Sequence, residues 1–155
     1  MYTADFMNLF DELMALVAEL DAAGVEYALI GGLAVAVWGV PRATKDIDLL
    51  VLPDAVERAK AAAARLGFVL AAGPLRFRDG VSIERVSRVR EGALLTVDFM
   101  LVSDGLGAAW ASRTQLQAAK RSLTVVSRDA LIAMKLAAAR PQDIADVEKL
   151  RDIDR

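Results

Sequence analysis

The sequence feature that most constrains the fold is the segment DIDLLVL at residues 46–52. Its last four residues are all apolar, which is typical of an interior strand of a covered sheet rather than an edge strand. Asp46 and Asp48 lie two residues apart, so on a strand both carboxylates point to the same face. Two like charges there repel each other, so they either share a cation or one pKa rises. The segment therefore predicts a core strand that begins at a functional site.

The remaining elements predict an α+β fold in which one mixed sheet is covered by helices mainly on one side. Apolar periodicity with glycine and proline stops predicts helices at residues ~4–23, 33–38, 54–66, 105–112, 128–139 and 142–153. Apolar and alternating runs predict strands at residues 25–30, 46–52, 68–71, 76–78, 81–90, 94–102 and 123–126. No linker or repeat interrupts this order, and we expect residues 1–155 to form one domain with two closing C-terminal helices.

The amino-acid composition excludes several classes of catalytic mechanism. The chain has no histidine and no cysteine, which excludes Ser-His-Asp and Cys-His catalysis, imidazole-bound zinc and disulfides. Catalysis must then depend on carboxylates, Lys, Arg, backbone donors or a metal held by oxygen ligands. No apolar run is long enough for a membrane span and no basic leader precedes the first helix, so we expect a cytoplasmic protein without a membrane partner.

A third carboxylate, Asp98, also interrupts an apolar strand. Within residues 94–102 only Thr96 and Asp98 are polar. If this strand lies beside residues 46–52, then Asp46, Asp48 and Asp98 converge, and unpaired buried charges are costly. Three converging acids fit two metal ions, Mg²⁺ or Mn²⁺, that clamp an in-line phosphoryl displacement. The alternative is that each Asp ends a strand or pairs with a nearby Lys or Arg.

Two glycines precede the acid pair at a strand-to-helix junction. Gly31 and Gly32 allow backbone N–H groups to approach an anion, and a helix N-terminus adds partial positive charge. The pattern is neither a Walker A loop nor a dinucleotide fingerprint, because the spacing and the Lys-[Ser/Thr] pair are missing. A tight turn without any ligand is the alternative interpretation.

Together these residues resemble the nucleotidyltransferase superfamily, whose fold is shared with DNA polymerase beta. The motif Gly-Gly-x-Ala followed by Arg42-x-Thr44-x-Asp46-x-Asp48 is similar to that of one branch, which contains the AbiEii-type toxins and minimal nucleotidyltransferases. The C-terminal stretch from Lys135 to Asp146 resembles the last motif of that branch. The similarity covers residues ~28–52, ~94–101 and ~131–150.

The resemblance implies a metal-dependent transfer of a nucleoside monophosphate from an NTP. It implies that Asp46, Asp48 and Asp98 hold the metals and that Asp98 is also the base for the acceptor hydroxyl. Lys135 is the implied phosphate contact. Asp143 and Asp146 share a helix face, where they support Lys135 or Arg140, bind a water molecule, or form an ordinary salt bridge.

The implied nucleotide-binding residues surround the acid pair. They are Gly31, Gly32, Arg42, Thr44 and Lys45, together with Lys135. Arg42 and Lys45 either neutralise phosphate or contact RNA. For Lys45 the alternative is a side chain that points outward from a strand and has no ligand. Thr44 more readily shapes the turn. Gly32 stands where this superfamily commonly has Ser, and the larger toxins continue into a helical region beyond the position of Arg155, so we expect minimal substrate recognition or help from a second subunit.

The sequence does not identify the acceptor of the nucleoside monophosphate. All six charged residues before Arg42 are acidic, and the remainder of the chain carries 19 basic and 15 acidic residues. Such a surface suits RNA, for example tRNA, although uneven charge alone has the same appearance. A protein acceptor, an antibiotic acceptor, a toxin controlled by an antitoxin, and a catalytically silent regulatory or antitoxin-type module all remain alternatives.

Overall fold

The computed structural model describes residues 4–153, and its central feature is one seven-stranded mixed sheet. The strands are β1 (Ala28–Ile30), β2 (Asp46–Val51), β3 (Leu70–Arg76), β4 (Ser82–Arg90), β5 (Ala93–Leu101), β6 (Thr114–Ala118) and β7 (Arg121–Val125). Their order across the sheet is β3-β4-β5-β2-β1-β7-β6. β2 runs parallel to β5, and β1 runs parallel to β7, while the other neighbours are antiparallel. The predicted fold class is confirmed.

Six α-helices accompany this sheet in the described part of the chain. They are α1 (Ala4–Ala22), α2 (Gly31–Val37), α3 (Val56–Ala64), α4 (Gly107–Ala111), α5 (Arg128–Ala138) and α6 (Pro141–Arg151). The two C-terminal helices are separated at Ala139, which takes a left-handed conformation between α5 and α6, and Pro141 begins α6. Every helix within residues 4–153 is too short or too polar to cross a lipid bilayer.

The two predicted core strands lie side by side in the sheet. In β2, Ile47, Leu49 and Val51 are fully buried, and Phe99 of β5 is buried beside them. α1 and α3 cover the face of β4 that carries Glu84 and Arg88, which form ion pairs with Lys60 of α3 and Glu12 of α1. Because side chains alternate along a strand, the residues between these belong to the opposite face, where the functional candidates lie.

Two strand predictions were wrong in detail. The strands predicted at residues 68–71 and 76–78 overlap the two ends of one strand, β3 (Leu70–Arg76), whose pairing with β4 shifts register between Ala72 and Leu75. β6 was missed because the turn that joins it to β7 carries no turn residue. That turn uses Ala119 and Lys120, both with positive φ, where Asn or Gly is usual.

Candidate functional site

The junction between β1 and α2 requires glycine at its first position. Gly31 has φ +75°, a left-handed conformation that favours glycine. A Cβ atom at Gly31 would also collide with the carboxylate of Asp48 on the neighbouring strand. Gly31 therefore lets the backbone of α2 begin directly against the acid pair.

Gly32 is explained by a different neighbour. A Cβ atom there would lie 3.0 Å from Oγ1 of Thr44 and 3.1 Å from its Cβ, which is tighter than ordinary packing. The Thr44 hydroxyl thus lies directly beside the position where a serine at position 32 would begin its side chain. Gly32, which stands where the superfamily commonly has serine, leaves room for the side chain of Thr44.

The carboxylates occupy neighbouring strands in one register. Asp48 of β2 is the direct partner of Asp98 of β5, and Asp46 is the partner of Thr96. Asp98 is buried, Asp48 is half-buried and Asp46 is exposed. Burial raises the pKa of Asp48 to about 7, and the negative charges of Asp98 and Asp46 add to this effect against the opposing charges of Lys135 and Arg85.

The third acid already has a cationic partner. Arg85 of β4 donates from Nε to Oδ1 of Asp98 at 2.8 Å and from Nη2 to Oδ2 at 3.0 Å. Within residues 4–153, no three carboxylates are placed so that they hold one metal ion in this conformation. Asp46, Asp48 and Asp98 are therefore brought close together, but not assembled into a finished metal centre, and their roles as ligands stay a prediction.

Lys135 of α5 reaches the site from a buried ion-pair network. Its Nζ lies 3.1 Å from Oδ2 of Asp146 and 3.3 Å from Oδ1 of Asp143, both on α6. Arg42 donates from Nε to both oxygens of Asp146 at 3.0 Å. The two carboxylates thus fix Lys135 and Arg42 in position. Asp143 and Asp146 form salt bridges, and through these salt bridges they support Lys135.

Asp143 also closes the start of α6. It accepts hydrogen bonds from the backbone N–H of Arg140 at 3.1 Å and from Arg140 Nε at 2.7 Å. Burial acts to raise the pKa of Asp143, but the hydrogen bonds from Arg140 and Lys135 outweigh it and hold the pKa below its usual value. The carboxylate is therefore charged at neutral pH and binds two cations.

One cleft contains every residue that the sequence predicted for the site. The cleft has a volume of about 1470 Å³. Its predicted lining residues are Gly31, Gly32, Arg42, Thr44, Lys45, Asp46, Asp48, Asp98 and Lys135. The sequence did not assign Arg85 and Arg140 to the site, although both line the same cleft. The turn at Glu91-Gly92 joins β4 to β5, and counting outward from it would have placed Arg85 opposite Asp98.

We expect Gly31→Ala to abolish function with only modest loss of stability. Both the left-handed backbone and the collision with Asp48 oppose a Cβ atom there. The matched control is Gly80→Ala, which has φ +85° but open space around the new atom. Backbone strain should lower the free energy of unfolding of each variant by about 1 kcal/mol, and displacement of the Asp48 side chain adds to that loss in Gly31→Ala. Only Gly31→Ala should lose the activity of the cleft, and equal activity in both variants would contradict the role of this contact.

Known proteins agree with this architecture. Residues 4–154 match the model of a family described as "Nucleotidyltransferase of unknown function (DUF6036)". No curated protein matches the chain in sequence.

Three solved structures share the fold. A candidate nucleotidyltransferase from Thermotoga maritima is 14% identical, with a TM-score of 0.63 over 100% of this chain and 97% of that one. ANT(2")-Ia in complex with adenylyl-2"-tobramycin is 18% identical, with a TM-score of 0.62 over 94% of each chain. The lincosamide antibiotic adenylyltransferase LnuA, bound to lincomycin, is 14% identical, with a TM-score of 0.60 over 98% of each chain. At these identities the likeness concerns the fold alone.

Proposed function

Because the chain belongs to the DUF6036 family of nucleotidyltransferases, we propose that it transfers a nucleoside monophosphate from an NTP to an acceptor hydroxyl and releases pyrophosphate. The observation that carries this proposal is the pairing of Asp48 with Asp98 on parallel neighbouring strands. Gly31 and Lys135 line the same cleft, so anion-binding groups lie beside the acids. Carboxylates next to phosphate-binding groups are the parts that phosphoryl transfer requires.

The acids fit a hard divalent cation, and we propose Mg²⁺ or Mn²⁺. Asp46, Asp48 and Asp98 offer only oxygen donors, which these ions prefer. The raised pKa of Asp48 reflects burial and mutual repulsion, and a bound cation relieves both. When bound, the ions would polarise phosphoryl oxygens and offset the charge of the leaving pyrophosphate.

The residues of the chain itself bind, orient and accept a proton. Asp98 takes the proton of the acceptor hydroxyl, whose oxygen bonds to the α-phosphorus while the bond to pyrophosphate breaks. Lys135 donates to the phosphates as a point charge, held in place by Asp143 and Asp146.

Further polar groups at the glycine turn complete the nucleotide subsite that we propose. Gly31 and Gly32 bring backbone N–H groups to the triphosphate. The Thr44 hydroxyl supplies the donor that serine commonly supplies at position 32, since it lies beside that position. Arg42 and Lys45 contribute positive charge at the same side of the cleft.

We propose an RNA acceptor such as tRNA, with a protein acceptor as the next candidate. Besides the three proposed metal ligands, Asp143 is the remaining carboxylate among the described residues that line the cleft, and it is bound to Lys135 and Arg140. Lys45 adds positive charge, and Arg42 and Arg85 line the same cleft in ion pairs with Asp146 and Asp98. A polycationic antibiotic needs unpaired acidic groups, whereas a polyanion is attracted by this charge pattern.

The AbiEii-type motif around Arg42, Thr44, Asp46 and Asp48 leads us to include a toxin role in the proposal. The toxin of a toxin–antitoxin system would act with an antitoxin or a second subunit as partner. Growth arrest on expression in bacteria, absent with Asp46→Ala, would support that role. Growth arrest that persists with Asp46→Ala would exclude a toxic transferase activity.

The direct test incubates the protein with each labelled NTP and Mg²⁺ or Mn²⁺, together with total RNA, protein extract, tobramycin or lincomycin in separate reactions. We expect labelled RNA that depends on the metal. Asp98→Ala should reduce labelling at least 10³-fold because it removes both a ligand and the base. Glu148→Ala, an exposed acid on α6, is the control and should retain activity. Labelling that survives Asp98→Ala, or the absence of both labelling and metal-dependent NTP binding, would overturn the proposal.

A further inference from the structure

Arg85 occupies both oxygens of Asp98, which is one of the proposed metal ligands. The two hydrogen bonds, at 2.8 and 3.0 Å, are the paired arrangement that a guanidinium makes with a carboxylate. This pair uses one lone pair on each Asp98 oxygen and places a full positive charge against the carboxylate, so an approaching metal ion is repelled by the guanidinium. The described residues accordingly hold no three-carboxylate metal cluster in this conformation.

We propose that Arg85 is a positioning residue that competes with the metal ion for Asp98. The inference rests on the proposed function, since it takes Asp98 as a metal ligand. In the absence of metal and nucleotide, Arg85 neutralises Asp98. In the loaded cleft the ion replaces the guanidinium, so metal binding requires an exchange of cations.

The burial of the two partners fits such an exchange. The side chain of Asp98 is only 11% exposed, whereas that of Arg85 is 43% exposed. A buried carboxylate left without a cation is costly, so Asp98 needs one in either state. A half-exposed guanidinium is readily hydrated when it leaves, so releasing Arg85 costs little. The asymmetry makes Asp98 the fixed partner and Arg85 the one that is displaced.

The destination of the displaced guanidinium is the same cleft. Arg85 lines it together with Lys135 and Gly31. Among residues 4–153, the hydrogen bonds of the Arg85 guanidinium are those to Asp98, so it can turn from Asp98 towards an anionic substrate. A metal-bound triphosphate would therefore both supply the replacing cation and attract the departing one, which couples the two binding events.

The test measures Mn²⁺ binding to the full chain without nucleotide, by electron paramagnetic resonance or calorimetry. Arg85→Met removes the guanidinium and keeps the length of the side chain, and we expect it to bind Mn²⁺ at least tenfold more tightly than the unsubstituted protein. Arg85→Lys keeps the charge but loses the paired geometry, and should be intermediate. Arg90→Met, on the same strand and 61% exposed, removes an equal charge and should change the affinity less than twofold.

A second measurement needs no substitution at Arg85. In the unsubstituted protein the Arg85 Nε–H signal in the NMR spectrum should move when Mg²⁺ is added, and Asp98→Asn should abolish this change. Equal or weaker Mn²⁺ binding in Arg85→Met, or an Arg85 signal unmoved at saturating metal, would overturn the inference while leaving the transferase proposal intact. If Asp46→Asn, Asp48→Asn and Asp98→Asn all bind Mn²⁺ as tightly as the unsubstituted protein, the metal site itself is wrong, and both proposals fail.

Discussion

Asp48→Asn should abolish nucleotide transfer and at the same time stabilise the metal-free protein. The activity falls because the proposed metal loses a ligand, and we expect at least a 10³-fold reduction in rate. The stability rises because burial and the charges of Asp98 and Asp46 raise the pKa of Asp48 to about 7, so the ionised carboxylate is unfavourable in the fold. A neutral amide of the same shape removes this cost.

The sign of the pH dependence follows from the same pKa. The native state holds a proton on Asp48 up to about pH 7, whereas the unfolded chain releases it near the ordinary value of 3.8. Between those values the native state binds more protons, so the stability that Asp48 contributes declines as the pH rises. Above pH 7 the full penalty applies, and the variant should exceed the unsubstituted protein by about 2–4 kcal/mol.

Thermal unfolding in a chelator at pH 4 and pH 8 measures this difference. We expect the two proteins to differ little at pH 4 and the variant to melt about 5–10 °C higher at pH 8. Added Mg²⁺ should stabilise the unsubstituted protein more than the variant. Glu148→Gln, which removes an exposed charge, is the control and should change the melting temperature by less than 2 °C. An Asp48→Asn variant that is no more stable at pH 8 would contradict the strain assigned to the acid pair.

The parts of the site that the sequence could predict are those set by local periodicity. Asp46 and Asp48 share a face because strand side chains alternate, and Asp98 is the only acid in the second apolar strand. The parallel register that places Asp98 beside Asp48 depends on crossover connections. The prediction that these strands are neighbours therefore depended on the expectation that the three carboxylates share metal ions.

Other features depend on packing angles that no local pattern fixes. Lys135 meets Asp143 and Asp146 because α5 and α6 fold against each other at Ala139, whose left-handed conformation carries no glycine signal. The contact between Gly32 and Thr44 likewise joins residues 12 positions apart through a loop. A serine was expected at position 32 on family grounds, and only the structure shows the hydroxyl of Thr44 beside it.

Asp143→Ala should destabilise the fold more than any other single change at the site. Asp143 is fully buried and binds Lys135, the Arg140 guanidinium and the Arg140 backbone N–H. Removing it leaves the buried Lys135 ammonium with Asp146 alone and leaves the first turn of α6 without its acceptor. Breaking a buried pair from one side costs about 3–5 kcal/mol, so we expect a melting temperature about 10 °C lower.

The acid side of the stability curve tests the same contact. The pKa of Asp143 lies below its ordinary value in the native state, so its contribution is present above about pH 4 and is lost as the pH falls through the native pKa. This acid-dependent loss should be absent from Asp143→Asn, whose amide oxygen still accepts from the Arg140 backbone. The asparagine variant should therefore lose less stability than Asp143→Ala at neutral pH.

A double-mutant cycle then separates the support of α6 from the placement of Lys135. We expect Asp143→Asn to raise the KM for NTP at least tenfold with a smaller change in kcat, because a misplaced ammonium weakens phosphate binding in the ground state and the transition state alike. Combining it with Lys135→Met should add little to KM beyond Lys135→Met alone. Glu148→Ala, exposed on the same helix, should change neither stability nor KM. Fully additive effects of the two substitutions would show that Asp143 supports the helix without positioning Lys135.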